Sequence, residues 1–290
     1  MRIAPTFAKA IERTEILLRD TAHEVRGTHW QSVDVSTKPE MRMKEILNLS
    51  FQVPLENCSS IPKLQDDIKP NLPWAEDHFR ERVCGDPMNP GEQWKAWPWS
   101  NSADKFRTEN GGKFSHTYME RYWPKHAGQK PDVRLNATFD CGEFQMHGIR
   151  YKYGDLNDVV SHLLGDPLSR QAYLPVWFPE DTGVVHGERV PCSLGYHWIL
   201  RNGYLHTTYY IRSCDFVRHF RDDLYLTARL SIWLLQQLQE RAHGEMIAKG
   251  EAPYLGSEWD TVRLGMLSFH CVSMHCFVND WNRMYARTAL

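Results

Sequence analysis

The segment PCSLGYHWILRNGYLHTTYYIRSCD, residues 191–215, constrains this chain more than any other. Asn202-Gly203 stands between two runs rich in Tyr, Thr, Ile and Leu. Both central positions of the favoured tight hairpin turn need positive φ, which Asn and Gly tolerate best. The spacing predicts two antiparallel strands whose far ends lie side by side. One end carries Pro191-Cys192 and the other Arg212-Ser213-Cys214-Asp215. A thiol beside a fixed guanidinium has the ingredients of an activated nucleophile, because a positive charge favours the thiolate. Taken singly, Cys192 reads better as a small buried residue and Arg212 as an ion-pair residue. Their combination is what points to chemistry.

Around the hairpin, helical and strand patterns alternate. Residues 5–24 read as an amphipathic helix, and residues 26–55 as strand, turn, then strand or short helix. WAEDHFRERV, residues 74–83, predicts a helix that stops at Cys84-Gly85-Asp86-Pro87. LNDVVSHLLGD predicts another, ending at Gly165 and followed by an apolar strand, QAYLPVWF. LYLTARLSIWLLQQLQ, residues 224–239, is apolar nearly all round and reads as a core helix beneath the sheet. Residues 54–115 are rich in Pro, Trp, Asn and Gly. They hold too many aromatics to be disordered and read as the irregular wall of a site.

Composition excludes several classes. With a net charge of -2, the chain has no global basic field for polymeric nucleic acid or anionic lipid. The 11 Trp imply pockets or interfaces with flat aromatic walls. Charges run throughout the first helix, and nowhere do about 18 uncharged apolar residues stand together, so the expected location is the cytoplasm. The 7 Cys are odd in number and lack a small-scaffold spacing, which fits reduced thiols. FHCVSMHCF sets His270, Cys271, His275 and Cys276 in two doublets that suit no usual zinc spacing, so no metal is expected.

Pro-Cys followed, twenty residues after the Cys, by Arg-Ser-Cys-Asp resembles the thymidylate synthase family, which includes the deoxycytidylate hydroxymethylases. The resemblance implies an α/β (α+β) fold, a mixed sheet packed against helices, and a homodimer joined through the sheet. It spans residues 1–290 as one domain, with a Trp/Pro-rich insertion at about 54–115 and another at about 241–262. In that family the Cys adds to C6 of a pyrimidine nucleotide and the Arg-Ser pair binds its 5'-phosphate. Carried over, Cys192 is the nucleophile, Arg212 and Ser213 are phosphate ligands, and Asp215 contacts the pyrimidine region. GDPLSRQAYLPVW resembles the stretch whose arginines reach the neighbouring subunit's phosphate; Arg170 fits, and Gln171 replaces the second Arg. RGTHW offers Arg26 as a further phosphate ligand. VSMHCFVND resembles the segment that holds the sugar, with His275 on a ribose hydroxyl and Phe277 where a Tyr is usual. ENGGKFSHTYMERYW resembles the Tyr-containing stretch on the folate side, which offers Tyr118; Trp99 from the Trp-rich wall is assigned to the same side.

Asp223 lies eleven residues past Arg212, where thymidylate enzymes carry an Asn that pairs with uracil. Cytosine offers an amino donor at N4 and an acceptor at N3. A carboxylate accepts from N4 and from a protonated N3, or a protonated carboxyl donates to N3. Either arrangement favours cytosine, and a proton at N3 also makes C6 a better acceptor for the thiolate. Read without the resemblance, Asp223 simply caps the next helix.

The resemblance implies 5,10-methylenetetrahydrofolate as co-substrate. After one-carbon transfer to C5, hydride gives a methyl product and water a hydroxymethyl product. Only 15 residues follow His275, fewer than the family uses to close over the folate, which favours water and a hydroxymethylase on dCMP or CMP. A C5 methyltransferase acting on dCMP or dUMP is the nearest alternative. A relative that binds nucleotide without turnover is the alternative of another class. A carboxyl with a pKa raised by apolar surroundings must also manage protons. WAEDHFRERVCGD offers Glu76, which Trp74 and Phe79 would desolvate, or Glu81, which otherwise reads as a solvated charge.

Overall fold

A computed structural model of the protein describes residues 2–27, 29–30, 33–57, 60–99, 112–127, 150, 152–184, 189–249 and 256–286. In chain order the first elements are β1 (Arg2–Ile3), α1 (Phe7–Thr21), β2 (His23–Val25), β3 (His29–Trp30), β4 (Val33–Asp34) and β5 (Met43–Pro54). Then come α2 (Ile61–Ile68), α3 (Trp74–Arg82), α4 (Tyr118–Tyr122), α5 (Leu156–Gly165) and β6 (Tyr173–Pro175). The last are β7 (Ser193–Arg201), β8 (Tyr204–Asp215), α6 (Phe220–Lys249), β9 (Arg263–Phe277) and α7 (Val278–Ala286).

The predicted hairpin is β7–β8, with Asn202 and Gly203 at φ of 51° and 76°. It sits inside a mixed sheet of order β1-β5-β9-β8-β7-β6, with β2 also pairing to β5. The pairs β8–β9 and β1–β5 are parallel and the others antiparallel. The expected α/β architecture with a mixed sheet is therefore present. Among the described residues, no helix is long and apolar enough to cross a membrane.

The apolar stretch 224–239 lies within α6, whose Leu224, Leu230, Leu234 and Leu238 are buried. Phe220, at the start of α6, packs on Phe51 of β5 and Phe269 of β9 at centroid distances of 6.2 and 5.4 Å. Fully burying one such ring stabilises the fold by roughly 1.5–3 kcal/mol, so these aromatics anchor α6 to the sheet.

Two segments depart from expectation. Of QAYLPVWF only Tyr173–Pro175 form a strand, because Pro175 has no N–H to continue the ladder. The next two amides, of Val176 and Trp177, both converge on the Leu194 carbonyl at 2.9 and 3.1 Å. Within 54–115, α2 is an ordered helix capped by Ser60, although only Leu64 and Ile68 of its eight residues are buried. A helix so short carries too little periodic signal to be read from sequence. Residues 101–111 and 250–255, in the two expected insertions, lie outside the described residues; 241–249 continue α6.

One buried ion pair sets the position of α4. Arg121 donates from Nη1 and Nη2 to the two carboxylate oxygens of Asp181 at 2.9 and 3.0 Å, and Asp181 also accepts from the Phe178 amide at 2.9 Å. Bidentate geometry holds both planes, so Tyr118 at the start of α4 is fixed relative to the approach to β7.

Candidate active site

Two helix faces define a cavity of about 230 Å³. Trp74, His78 and Arg82 recur every four residues on α3 and share one face. His219, Asp222, Asp223 and Leu226 follow the i, i+3, i+4, i+7 pattern at the start of α6 and share another. Between them the cavity is closed by residues 114–119, by Arg189, Val190 and Cys192, and by Ser213 of β8. Aromatic rings line the mouth: Trp74 stacks on His78 and Trp97 on His219, each at 5.0 Å, and Trp94 meets Phe114 edge-on at 5.5 Å.

Of the residues singled out in the sequence, the structure brings Cys192, Ser213, Asp223 and Tyr118 to this cavity. Asp223 is enclosed. Burial pushes its carboxyl up to about 7, with Arg82 opposing the shift. Its Oδ2 accepts from the Cys214 thiol at 3.4 Å. Its neighbour Asp222 makes a long-range contact instead, accepting from the amide and side chain of Asn71, both at 2.8 Å. Tyr118 stands beside Cys192, its hydroxyl accepting from Ser193 Oγ at 3.1 Å and its ring covering the Arg82 guanidinium at 4.1 Å.

Cys192 is half-buried. Sequence reasoning expected its pKa to be lowered; instead burial raises it, and Arg212 and Arg189 pull it back only in part. Desolvation of the thiolate outweighs the nearby guanidinium charges. Arg212 itself does not line the cavity. Its Nε and Nη2 donate to the carbonyls of Pro191 and Val190 at 2.9 and 3.2 Å, and its amide to Cys192 O at 2.9 Å. It staples the segment that carries the thiol.

Glu76 also lies elsewhere. Two residues beyond Trp74 is a turn of about 200°, so Trp74 cannot cover it and it faces away from the cavity. Burial pushes its carboxyl up, but bonds from Arg229 at 2.9 Å and Tyr225 at 2.7 Å outweigh that and hold it below the usual range. An ionised carboxylate of that kind has no proton to give at neutral pH. Glu81 is buried rather than solvated, and accepts from the amides of Glu92 and Gln93. It faces His78 at 3.1 Å.

The remaining sequence candidates are outside the cavity lining. Arg26 is exposed beside Lys38 and Arg42 in a separate surface hollow. Arg170 is exposed, with its carbonyl bonded to His197 at 2.9 Å. Asp215 accepts from the amides of Val217 and Arg218 at 2.9 and 3.1 Å, shaping the turn into α6. His275 is its register partner on β9 and is buried, with no hydrogen-bond partner for Nδ1 among the described residues. Trp99 covers Arg218 at 4.9 Å. His270 bonds Ser50 at 2.9 Å, while Cys271 and Cys276 are buried.

The sequence reading missed Arg82, Arg189, His78, His116 and His219. Helical phase would have found His78 and Arg82, which follow Trp74 at steps of four. Arg189 lies in no regular element and carries no periodic signal. Burial holds His78 at about 4 and His116 and His219 at about 3, so these imidazoles are neutral near pH 7. The positive charges lining the cavity are then Arg82 and Arg189. A cavity lined by flat rings, two guanidinium groups and two carboxyls whose pKa values burial raises suits an anionic heteroaromatic ligand. Compared with known proteins, the chain matches no family model and no curated protein.

Because Asp223 binds its proton more tightly folded than unfolded, its contribution to stability is greatest below about pH 4 and is lost as pH rises through 7. Thermal unfolding of Asp223→Asn at pH 5 and pH 8 tests this. The variant is expected to gain on the parent by several degrees at pH 8 relative to pH 5. An equal difference at both pH values would contradict the assignment.

Proposed function

We propose that the chain is a folate-dependent cytidylate hydroxymethylase of the thymidylate synthase fold, acting at C5 of CMP or dCMP. The observation that carries this reading is the meeting of Cys192, Ser213 and Asp223 in one cavity, from three positions related by the family spacing. In the reaction, Sγ of Cys192 bonds to C6 of the pyrimidine. The C5=C6 electron pair moves towards C5 and through C4 to N3, which takes the proton of the Asp223 carboxyl. A carboxyl whose pKa stands near 7 can both hold and release that proton at physiological pH. Asp223 then accepts from N4, which uracil cannot supply.

The thiol begins protonated, so its proton passes to solvent before the sulfur bonds to C6, and nucleotide binding must favour the thiolate. Placing the ring over Cys192 brings acceptor and sulfur together, while Arg189 and Arg212 are close enough to act on its charge. Ser213 and Arg189 are the cavity-lining groups that suit the 5'-phosphate. Methylenetetrahydrofolate supplies the one-carbon unit; Trp74, Trp94, Trp97 and Phe114 are the rings against which its flat pterin would stack. The indole N–H of Trp97 is buried without an acceptor among the described residues, which fits a ring bearing carbonyl and ring-nitrogen acceptors.

The same reading makes the chain a homodimer with Arg170 reaching the neighbouring site. Arg170 is exposed, and among the described residues only its backbone carbonyl is engaged; Leu47 and Val272 of adjoining strands are 59% and 50% exposed.

Incubation with methylenetetrahydrofolate and CMP, dCMP, UMP or dUMP, read by mass spectrometry, tests the reaction. The expected product is a 5-hydroxymethyl cytosine nucleotide, absent with Cys192→Ala. Asp223→Asn is expected to shift preference towards uracil by on the order of 10²-fold. A 5-methyl product would contradict water capture, and no product from the parent would favour a binding-only protein. Mixing equal amounts of inactive Cys192→Ala and impaired Arg170→Ala is expected to restore about a quarter of parental activity, since half of the randomly exchanged dimers are mixed and each has one intact shared site. No recovery in a mixture shown to exchange subunits would remove Arg170 from the neighbouring site.

A further inference from the structure

Arg82 stands apart from the other cations of the molecule. It is only 5% exposed and lines the cavity, yet forms no salt bridge among the described residues. Its Nε donates to His78 Nε2 at 3.0 Å and its guanidinium lies over the Tyr118 ring at 4.1 Å. Nη1 and Nη2 have no hydrogen-bond acceptor among the described residues. A buried guanidinium with two idle amino groups is costly unless something else takes their hydrogen bonds.

Its orientation is fixed from behind. Since Arg82 Nε donates to Nε2, the proton of neutral His78 sits on Nδ1 and faces Glu81 Oε2 at 3.1 Å. Glu81 is held in turn by the amides of Glu92 and Gln93, and the Arg82 carbonyl accepts from the Trp123 indole at 2.9 Å. A relay of three side chains thus holds one edge of the guanidinium and leaves the other edge to the cavity.

The two guanidinium groups of the cavity overlap in reach, both acting on Tyr118 and His219. Arg82 also acts on Asp223, and Arg189, with Arg212 beside it, on Cys192. Resting on the cytidylate reading, in which Asp223 takes N3 and N4, the next acceptor along the same edge of the base is O2, cytosine's one carbonyl oxygen. We infer that Arg82 is a base-binding residue, donating from its terminal amino groups to that carbonyl oxygen, and that His78, backed by Glu81, is its positioning residue. Asp223 and Arg82 together then read the full pairing edge of cytosine, and the phosphate is left to Arg189.

Calorimetric titration of cytidine and of cytidine 5'-monophosphate into the parent, Arg82→Lys, Arg82→Met and His78→Gln tests this. Lys keeps the charge but loses the fork, so Arg82→Lys is expected to weaken both ligands by the same factor, about 10- to 100-fold. His78→Gln, which can still accept from Arg82 and donate to Glu81, is expected to retain most of the affinity. Removing the charge in Arg82→Met should also move the pH midpoint of binding upwards, because Arg82 opposes protonation of Asp223. Unchanged binding of both ligands to Arg82→Lys would overturn the inference while leaving the function intact. A loss confined to the nucleotide would move Arg82 to the phosphate and overturn it as well. A parent that binds neither ligand would remove the cytidylate reading and this inference with it.

Discussion

The register of one hairpin decides where the chemistry of this chain can occur. Asn202 and Gly203 accept positive φ and set the register out to the pairing of Gly195 with Tyr210; an irregularity between Ser193 and Gly195 shifts it by one, so that Ser193 pairs with Ile211 and the Arg212 amide reaches Cys192 O at 2.9 Å. A slip of one residue would turn every side chain of a strand to the other face, separating the thiol from Ser213. The arginine that the sequence sets opposite the thiol strengthens the same junction, holding the carbonyls of Val190 and Pro191. Its contribution is structural and electrostatic at once: it fixes the loop and opposes part of the desolvation that keeps Cys192 protonated.

Against this strand junction stand two helix faces of contrasting chemistry. That of α6 presents carboxyls, and that of α3 an indole, an imidazole and a guanidinium. Enclosure by Trp, Phe and Tyr rings lowers the local dielectric, which raises Asp223 and Cys192 and keeps the histidines neutral. Cys192 therefore rests protonated, while Asp223, near 7, can hold or release a proton around neutral pH. Neutral imidazoles leave Arg82 and Arg189 as the fixed charges of the cavity lining, which suits a ligand that carries a phosphate and a hydrogen-bonding ring.

Much of this was legible in the sequence where a signal extended over many residues. The hairpin, α1, α3, α5 and α6 follow from turn chemistry, caps and apolar period, whereas Cys192, Ser213 and Asp223 are singled out by the resemblance to the thymidylate synthase family. What failed lacked such a signal or needed a phase. α2 buries two residues, and the stretch after Tyr173 breaks at a proline whose missing N–H only three-dimensional pairing makes decisive. Choosing Glu76 over Glu81 followed from counting neighbours along the chain rather than around the helix, and the same count passed over His78. Arg189 was overlooked because a loop residue has no period, although the hairpin that brings Arg212 to Pro191 and Val190 also brings it near Arg189.

Direct evidence for a bond between Cys192 and a pyrimidine tests the central claim. The protein can be incubated with methylenetetrahydrofolate and 5-fluoro-CMP or 5-fluoro-dCMP, denatured, and its peptides mapped by mass spectrometry. Fluorine at C5 cannot leave as a proton does, so the reaction halts with the ring attached to sulfur. The account predicts a stoichiometric adduct of nucleotide plus folate on the peptide containing Cys192. An unmodified Cys192, or an adduct confined to exposed Cys84, would contradict it.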